Sequence, residues 1–148
     1  CAFACTSAPV LRDDGYGFEV VVRTARLAAK NEFGIGFTAR PPSEWPAELP
    51  SSADQLGKDT WLVGFSGEAW SGSWGRWIQV PWRVPQIKDG DRIAVYGIFG
   101  SGELELLVNG DSIGSIPMPM VGRDRPLWGV VDLLGLEGCI DEVMLPDR

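Results

Sequence analysis

No histidine occurs among the 148 residues. That absence removes Ser–His and Cys–His nucleophile pairs, imidazole metal ligands and the commonest general base. Cysteine is scarce too. Cys1, Cys5 and Cys139 are the full complement, too few without histidine for the four ligands of a structural zinc site. Any pairing among the three depends on a Cα separation that sequence does not give. The odd count, with Cys139 in an expected core strand, favours a reducing, intracellular compartment. Positive charge is also short: 13 Lys and Arg stand against 20 Asp and Glu, a net charge of −7. An acidic chain lacks the basic patch that nucleic-acid binders show. No apolar run approaches the roughly 20 residues of a membrane helix, so no direct membrane insertion is expected. Signal and transit patterns are missing, and neither Asn31 nor Asn109 opens a glycosylation triplet. The chain starts at Cys1 rather than Met, which reads as processing or as a piece of a longer chain.

The carboxylates offer little chemistry. Glu103 and Glu105 sit two apart on one strand face and Glu142 lies on another strand, whereas a glycosidase opposes two carboxylates across roughly 5–10 Å of cleft. The Asp89-Gly90-Asp91 turn lacks the further oxygens that calcium requires. No catalytic residue, cofactor or metal is therefore expected, and the chain reads as a non-enzyme.

What is present is strand and turn. Hydrophobic residues make up 45% and charged residues 22%, ordinary for a globular domain. Nineteen Gly and eleven Pro without a fixed period point to many turns. The organising stretch runs from Asp89 to Gly135. Ile93–Phe99 and Glu103–Val108 are apolar, β-prone runs joined by Gly100-Ser101-Gly102, a hairpin pattern. Asn109-Gly110 then signals a type I′ turn, with φ > 0 at both central positions, returning through Ser112–Ile116. Leu127–Leu134 is apolar enough to be covered on both faces.

Earlier in the chain, Ala2–Thr6 reads as a short strand. Tyr16, Phe18, Val20 and Val22 alternate as a half-buried strand, as do Phe33, Ile35 and Phe37, with Gly34 and Gly36 permitting close backbone approach. Thr24–Glu32 contains Ala-rich helical material. Arg40–Lys58 carries Pro41, Pro42, Pro46 and Pro50 and must cross the surface as a loop, with one helical turn over Ser52–Leu56 closed by Gly57. Thr60–Phe65 and Trp74–Val80 read as strands joined by a Gly/Ser loop over Ser66–Ser73. Cys139–Leu145 closes the chain as a strand expected to return beside the first.

These pieces, taken in order, carry a resemblance. Gly34-Ile35-Gly36-Phe37-Thr38, Leu49-Pro50 before Thr60-Trp61, Gly90-Asp91-Arg92, Gly102-Glu103-Leu104, Val108-Asn109-Gly110 and Arg125-Pro126-Leu127-Trp128 with Val130-Val131-Asp132-Leu133 resemble the Neuralized homology repeat (NHR). A more distant likeness is to the SPRY domain. The likeness covers roughly residues 8–145. It implies an all-β, antiparallel β-sandwich of two sheets over residues 1–148, a single domain that binds other proteins and does no chemistry of its own. For Thr24–Glu32 it implies a loop or turn between two strands. Relative to the family the chain begins late, so a first strand is expected to be missing or supplied elsewhere, leaving a sheet edge for a partner to cover. Family members often sit beside a RING domain in ubiquitin ligases. No Cys- and His-rich segment exists here, so a ligase context enters only through another chain or domain.

The implied function is a protein–protein interaction module, an adaptor or accessory subunit of a larger assembly, gripping a peptide or partner surface through loops at one end of the sandwich. Binding hot spots favour Trp and Arg, and Met serves adaptable surfaces. The candidate anchors are Trp45, Trp70, Trp74, Arg76, Met118, Met120 and Arg123. Trp61 is assigned to the core. Five tryptophans within residues 61–82 also fit a second class, a lectin-like module that stacks sugars on exposed indoles.

Overall fold

Tyr16, Phe18, Val20 and Val22 are buried, while Glu19 and Val21 between them are only partly so. This is the period-2 pleat of a strand with one face in a core. It recurs along the chain in a computed structural model that describes residues 3–27, 33–48, 53–65, 67–119, 125–132 and 136–144. The strands are β1 (Phe3–Cys5), β2 (Leu11–Arg12), β3 (Gly15–Leu27), β4 (Gly34–Thr38), β5 (Thr60–Phe65), β6 (Glu68–Ser71), β7 (Arg76–Gln79), β8 (Arg92–Ile98), β9 (Glu103–Val108), β10 (Asp111–Pro117), β11 (Trp128–Asp132) and β12 (Leu136–Met144). One sheet runs β1-β11-β4-β5-β6-β7; the other runs β10-β9-β8-β3-β12, with β2 on β3. All pairings are antiparallel, so the chain is an all-β sandwich.

The meander β8–β9–β10 follows from its turn chemistry. Asn109 and Gly110 have φ of 51° and 84°, as the expected turn demands, and Asp111 pairs with Val108 directly across it. At the start of β8, Asp91 accepts the Lys88 amide at 2.7 Å and the Asn109 side-chain amide at 3.0 Å, pinning the two turns together.

Between the sheets lies the main core. Phe18, Val20, Ile93, Val95, Leu104 and Leu106 from one sheet face Ile35, Phe37, Trp61, Val63 and Val131 from the other. A second, smaller cluster covers the outer face of the first sheet, where Ala53 and Leu56 of a 3₁₀ turn (Ala53–Leu56) sit on Leu62 and Val130. The buried Asp132 carboxylate accepts the Ala53 amide at 2.7 Å and holds that turn down. β4 and β11 are thus covered on both sides, which explains their nearly unbroken burial. Gly57, at φ 91°, closes the turn by bonding to Asp54. Cys5 is a free thiol, and burial raises its pKa; Cys1 and the Cys139 side chain lie outside the described residues.

Two expectations change, and one feature was not anticipated. The Gly/Ser stretch read as a loop over Ser66–Ser73 contains β6, because Ala69 and Ser71 find buried places on the core side while Trp70 takes the opposite face. The last strand, β12, pairs with β3 along Leu136–Met144, and β1 pairs instead with β11. Beyond β7 the chain continues strand-like without a ladder. Ile78, Val80, Trp82 and Val84 pack on the core, while Gln79, Pro81, Arg83 and Pro85 face outward. This strap spans from the β7 edge of one sheet to the β10 edge of the other, with the Trp82 indole 2.4 Å from where a Cβ on Gly114 would stand. It closes the side of the sandwich. The Ala-rich segment is strand up to Leu27; residues 28–32 lie outside the described residues.

A Cβ at Gly36 would meet the Trp61 carbonyl oxygen at 1.8 Å, a backbone atom that cannot rotate away. Gly36→Ala is therefore expected to destabilise the fold by about 3 kcal/mol, the upper end of ordinary overpacking costs, measured as a lowered urea midpoint at unchanged m-value.

Candidate partner-binding surface

β4 ends and β5 begins at the paired Thr38 and Thr60, and Trp128 at the start of β11 pairs with Thr38. The segments after Thr38, before Thr60 and before Trp128 therefore open at one end of the sandwich. Thr38 and Thr60 share a buried hydroxyl–hydroxyl bond of 2.9 Å that closes this end of the ladder. Tyr16 donates to the Arg125 carbonyl at 2.8 Å and the Met118 amide donates to the Gly102 carbonyl at 2.8 Å. These bonds bring the second sheet's loops to the same end.

The β6–β7 connection, Gly72-Ser73-Trp74-Gly75, also projects there. It is held at four points. A Cβ on Gly72 would meet the Thr60 backbone at 2.4 Å, so only glycine permits this approach. Gly75 bonds back to the Ser71 carbonyl at 2.8 Å, with φ of 64°. The Trp74 amide donates to Ser71 Oγ at 3.3 Å. From the core, the Trp61 indole N–H donates to Ser73 Oγ at 2.9 Å. On this rigid turn Trp74 is 55% exposed. The Arg76 guanidinium lies over its ring at 5.4 Å from the centroid, a cation–π contact. Lys58 runs beside Gly75, its Cε 3.6 Å from where a Cβ there would be.

The register of β6 and β7 separates the expected anchors. Ala69 with Ile78 and Ser71 with Arg76 belong to the core-facing side, and Trp70 with Trp77 to the outer face. Trp70 and Trp77 meet edge to face at 5.6 Å and 73°, and Trp70 donates to the Gly57 carbonyl at 3.1 Å. Trp70 is thus half-buried and fastened, while Trp77, exposed by 37%, forms the open end of this stack. Trp45 is half-buried too: its indole donates to the Arg40 carbonyl at 3.0 Å and it packs on the outer cluster, so its loop is fastened to the sandwich.

Met118 is corrected. It is fully buried in the main core, and its Cε would lie 2.6 Å from a Cβ on Gly97. An unbranched thioether filling a slot left by glycine has no surface to offer. Met120 and Arg123 lie outside the described residues. Trp74 and Arg76 are brought together as one exposed unit. Lys58, which sequence reasoning did not single out as an anchor, lies beside the same turn, and Trp77, also not singled out, is exposed on the opposite side of β7. Strand alternation from Trp70 across the turn was the signal for Trp77; Lys58 left none.

Glu103 is exposed and Glu105 half-buried on the outward face of β9. Among the described residues no three His, Cys, Asp or Glu side chains gather to hold a metal ion.

The sequence model of the Neuralized family matches residues 2–141. No curated protein sequence gives a significant match. The fold is similar to a human SPRY domain crystal structure, with a TM-score of 0.63, 18% identity, and coverage of 99% of this chain and 85% of that one. It is similar to the crystal structure of the Drosophila melanogaster neuralized-nhr1 domain at TM-score 0.62 and 16% identity, covering 99% and 80%. The solution structure of the NHR domain of Drosophila melanogaster Neuralized aligns at TM-score 0.65 and 17% identity, covering 97% and 74%.

Because Trp74 and Arg76 are exposed and Trp61 is buried, their truncations should separate. Trp74→Ala and Arg76→Ala are expected to change unfolding free energy by less than about 0.5 kcal/mol. Trp61→Ala should cost about 3–5 kcal/mol. Chemical denaturation followed by circular dichroism measures both.

Proposed function

The chain belongs to the Neuralized family, and from that premise we propose that it recognises a peptide or partner surface through the loops at the end of the sandwich where Trp74 and Arg76 stand. Neuralized and SPRY domains are protein-interaction modules rather than enzymes. The observation that carries the finer reading is the Trp74–Arg76 pair itself: an exposed indole on a turn tied to the core, with a guanidinium already stacked on it. Such a side chain loses little freedom on binding, which is where affinity is otherwise spent. Trp and Arg are also the residues that most often dominate protein interfaces.

In this reading the whole chain, residues 1–148, serves as one binding unit and as an accessory subunit of a larger assembly. A ubiquitin-ligase context would come from another chain or domain. Among the described residues no helix is long and apolar enough to cross a membrane. The sugar-binding alternative has less support. Arg76 lies over the Trp74 ring, Trp77 is engaged edge to face with Trp70, and the two exposed indoles stand on different sides of β7 rather than side by side as one platform.

Crosslinking followed by affinity recovery from the native source tests the proposal. One stoichiometric neighbour, retained by the Trp45→Ala variant and lost with Trp74→Ala or Arg76→Ala, is the expected result. Equal recovery by every variant would remove this surface. Saturable glycan binding by calorimetry, without a protein neighbour, would favour the lectin class.

A further inference from the structure

Charge at this surface runs against the charge of the protein. The chain carries a net charge of −7, yet two exposed cations, Arg76 over Trp74 and Lys58 beside Gly75, stand at this turn. The acid next in sequence, Asp59, is engaged by Arg125 at 2.8 Å. Glu68, at the far end of β6, accepts a bond from Gln79 at 3.3 Å. Among the described residues Arg76 and Lys58 form no ion pair. Arg76 is nonetheless held near the turn by its cation–π contact with Trp74, its Cζ 5.4 Å from the ring centroid, and its guanidinium has the donor pattern that suits a carboxylate.

Apolar surface is offered alongside. Trp77 is exposed on the opposite side of β7 from Arg76, and β7 is the last strand of its sheet. A segment lying extended beside this edge meets a cation on one side of its pleat and an indole on the other, since its own side chains alternate in the same way.

We infer that the occupant of this surface is an extended acidic segment of a partner protein, with carboxylates that engage Arg76 and Lys58 beside Trp74 and intervening apolar residues that pack on Trp77. This deepens the proposed function and rests on it. It names the partner's chemistry.

The test uses the full chain and follows tryptophan fluorescence on titration with blocked peptides of about ten residues, long enough to pass the edge strand. One peptide alternates Glu with Leu; in its counterparts Gln or Lys replaces Glu. The Glu peptide is expected to quench saturably. Removing one exposed ion pair weakens binding by up to about fivefold, so Arg76→Gln should lose about two- to fivefold, and the Gln peptide, which lacks every carboxylate, about fivefold or more. Charge reversal by Arg76→Glu or Lys58→Glu should cost about tenfold or more and turn preference toward the Lys peptide. Circular dichroism of each variant checks that the fold is intact.

Equal binding of the Glu and Gln peptides, no saturable binding of any, or unchanged affinity in Arg76→Glu would overturn the inference. Binding to phosphatidylserine vesicles in place of the peptide would overturn it too. Failure here with a native neighbour still lost on Trp74→Ala would strike down the acidic partner alone. Loss of that result as well would strike down the interaction surface.

Discussion

Phe18 of one sheet and Phe37 of the other meet edge to face, ring centroids 5.9 Å apart. Tyr16 adds contacts to Phe37 at 6.2 Å and Phe99 at 5.5 Å. Tilted and edge-on aromatic pairs fill the space between two pleated layers and hold them at a set distance. The rest of the sandwich answers to that contact. β4, which carries Phe37, is pressed so close to β5 that Gly36 has no room for a side chain. Tyr16 spends its hydroxyl on the Arg125 carbonyl, so the aromatic cluster also fixes where the chain enters β11.

From this interior the candidate surface is reached in a short chain of contacts. Trp61 shares the core with Phe37, its cross-strand neighbour. Its indole N–H reaches outward to Ser73, and Ser73 precedes Trp74 in the turn. An exposed tryptophan on a free loop would sample many orientations. One on a turn bonded to the core is displayed in few, and binding then costs less order. The small outer cluster under Trp70 does the same for the opposite face of β6, through a bond to the end of the 3₁₀ turn that Asp132 anchors. Scaffold and surface are therefore one system of packing.

Much of the fold was legible because local chemistry dictates it. Asn109-Gly110 can hardly do other than turn, and the runs on either side of it alternate at the strand period. Trp61 was assigned to the core from its place in an apolar strand, where it lies. The Pro-rich stretch after Arg40 was read as loop with one helical turn; its described residues carry a 3₁₀ turn at Pro42–Glu44 as well as the expected turn before Gly57, Ala53–Leu56, while residues 49–52 lie outside the described residues. Reading failed where partners distant in sequence decide. β6 is four residues of weak strand character, made a strand by β5 and β7 on either side. Met118 sits in a loop sequence next to prolines, but Gly97, twenty-one positions earlier, leaves a slot for it. β12 pairs with β3 in the second sheet, whereas β1 stands at the end of the first sheet beside β11, an assignment between sheets that local pattern does not carry.

The amino-acid sequence alone determined the class of this protein. It has no histidine, the commonest general base, and its alternating apolar runs between turn residues bury themselves as layered sheet. Tertiary structure decided which side chains are available to a partner. Trp45, Trp61, Trp70, Trp74 and Trp77 are one residue type with one hydrophobicity, yet register, a hydroxyl within reach of an indole and the cover of a 3₁₀ turn divide them into buried, fastened and exposed. Exposure is a property of what stands opposite a residue, and what stands opposite is set by pairings between segments far apart in the chain.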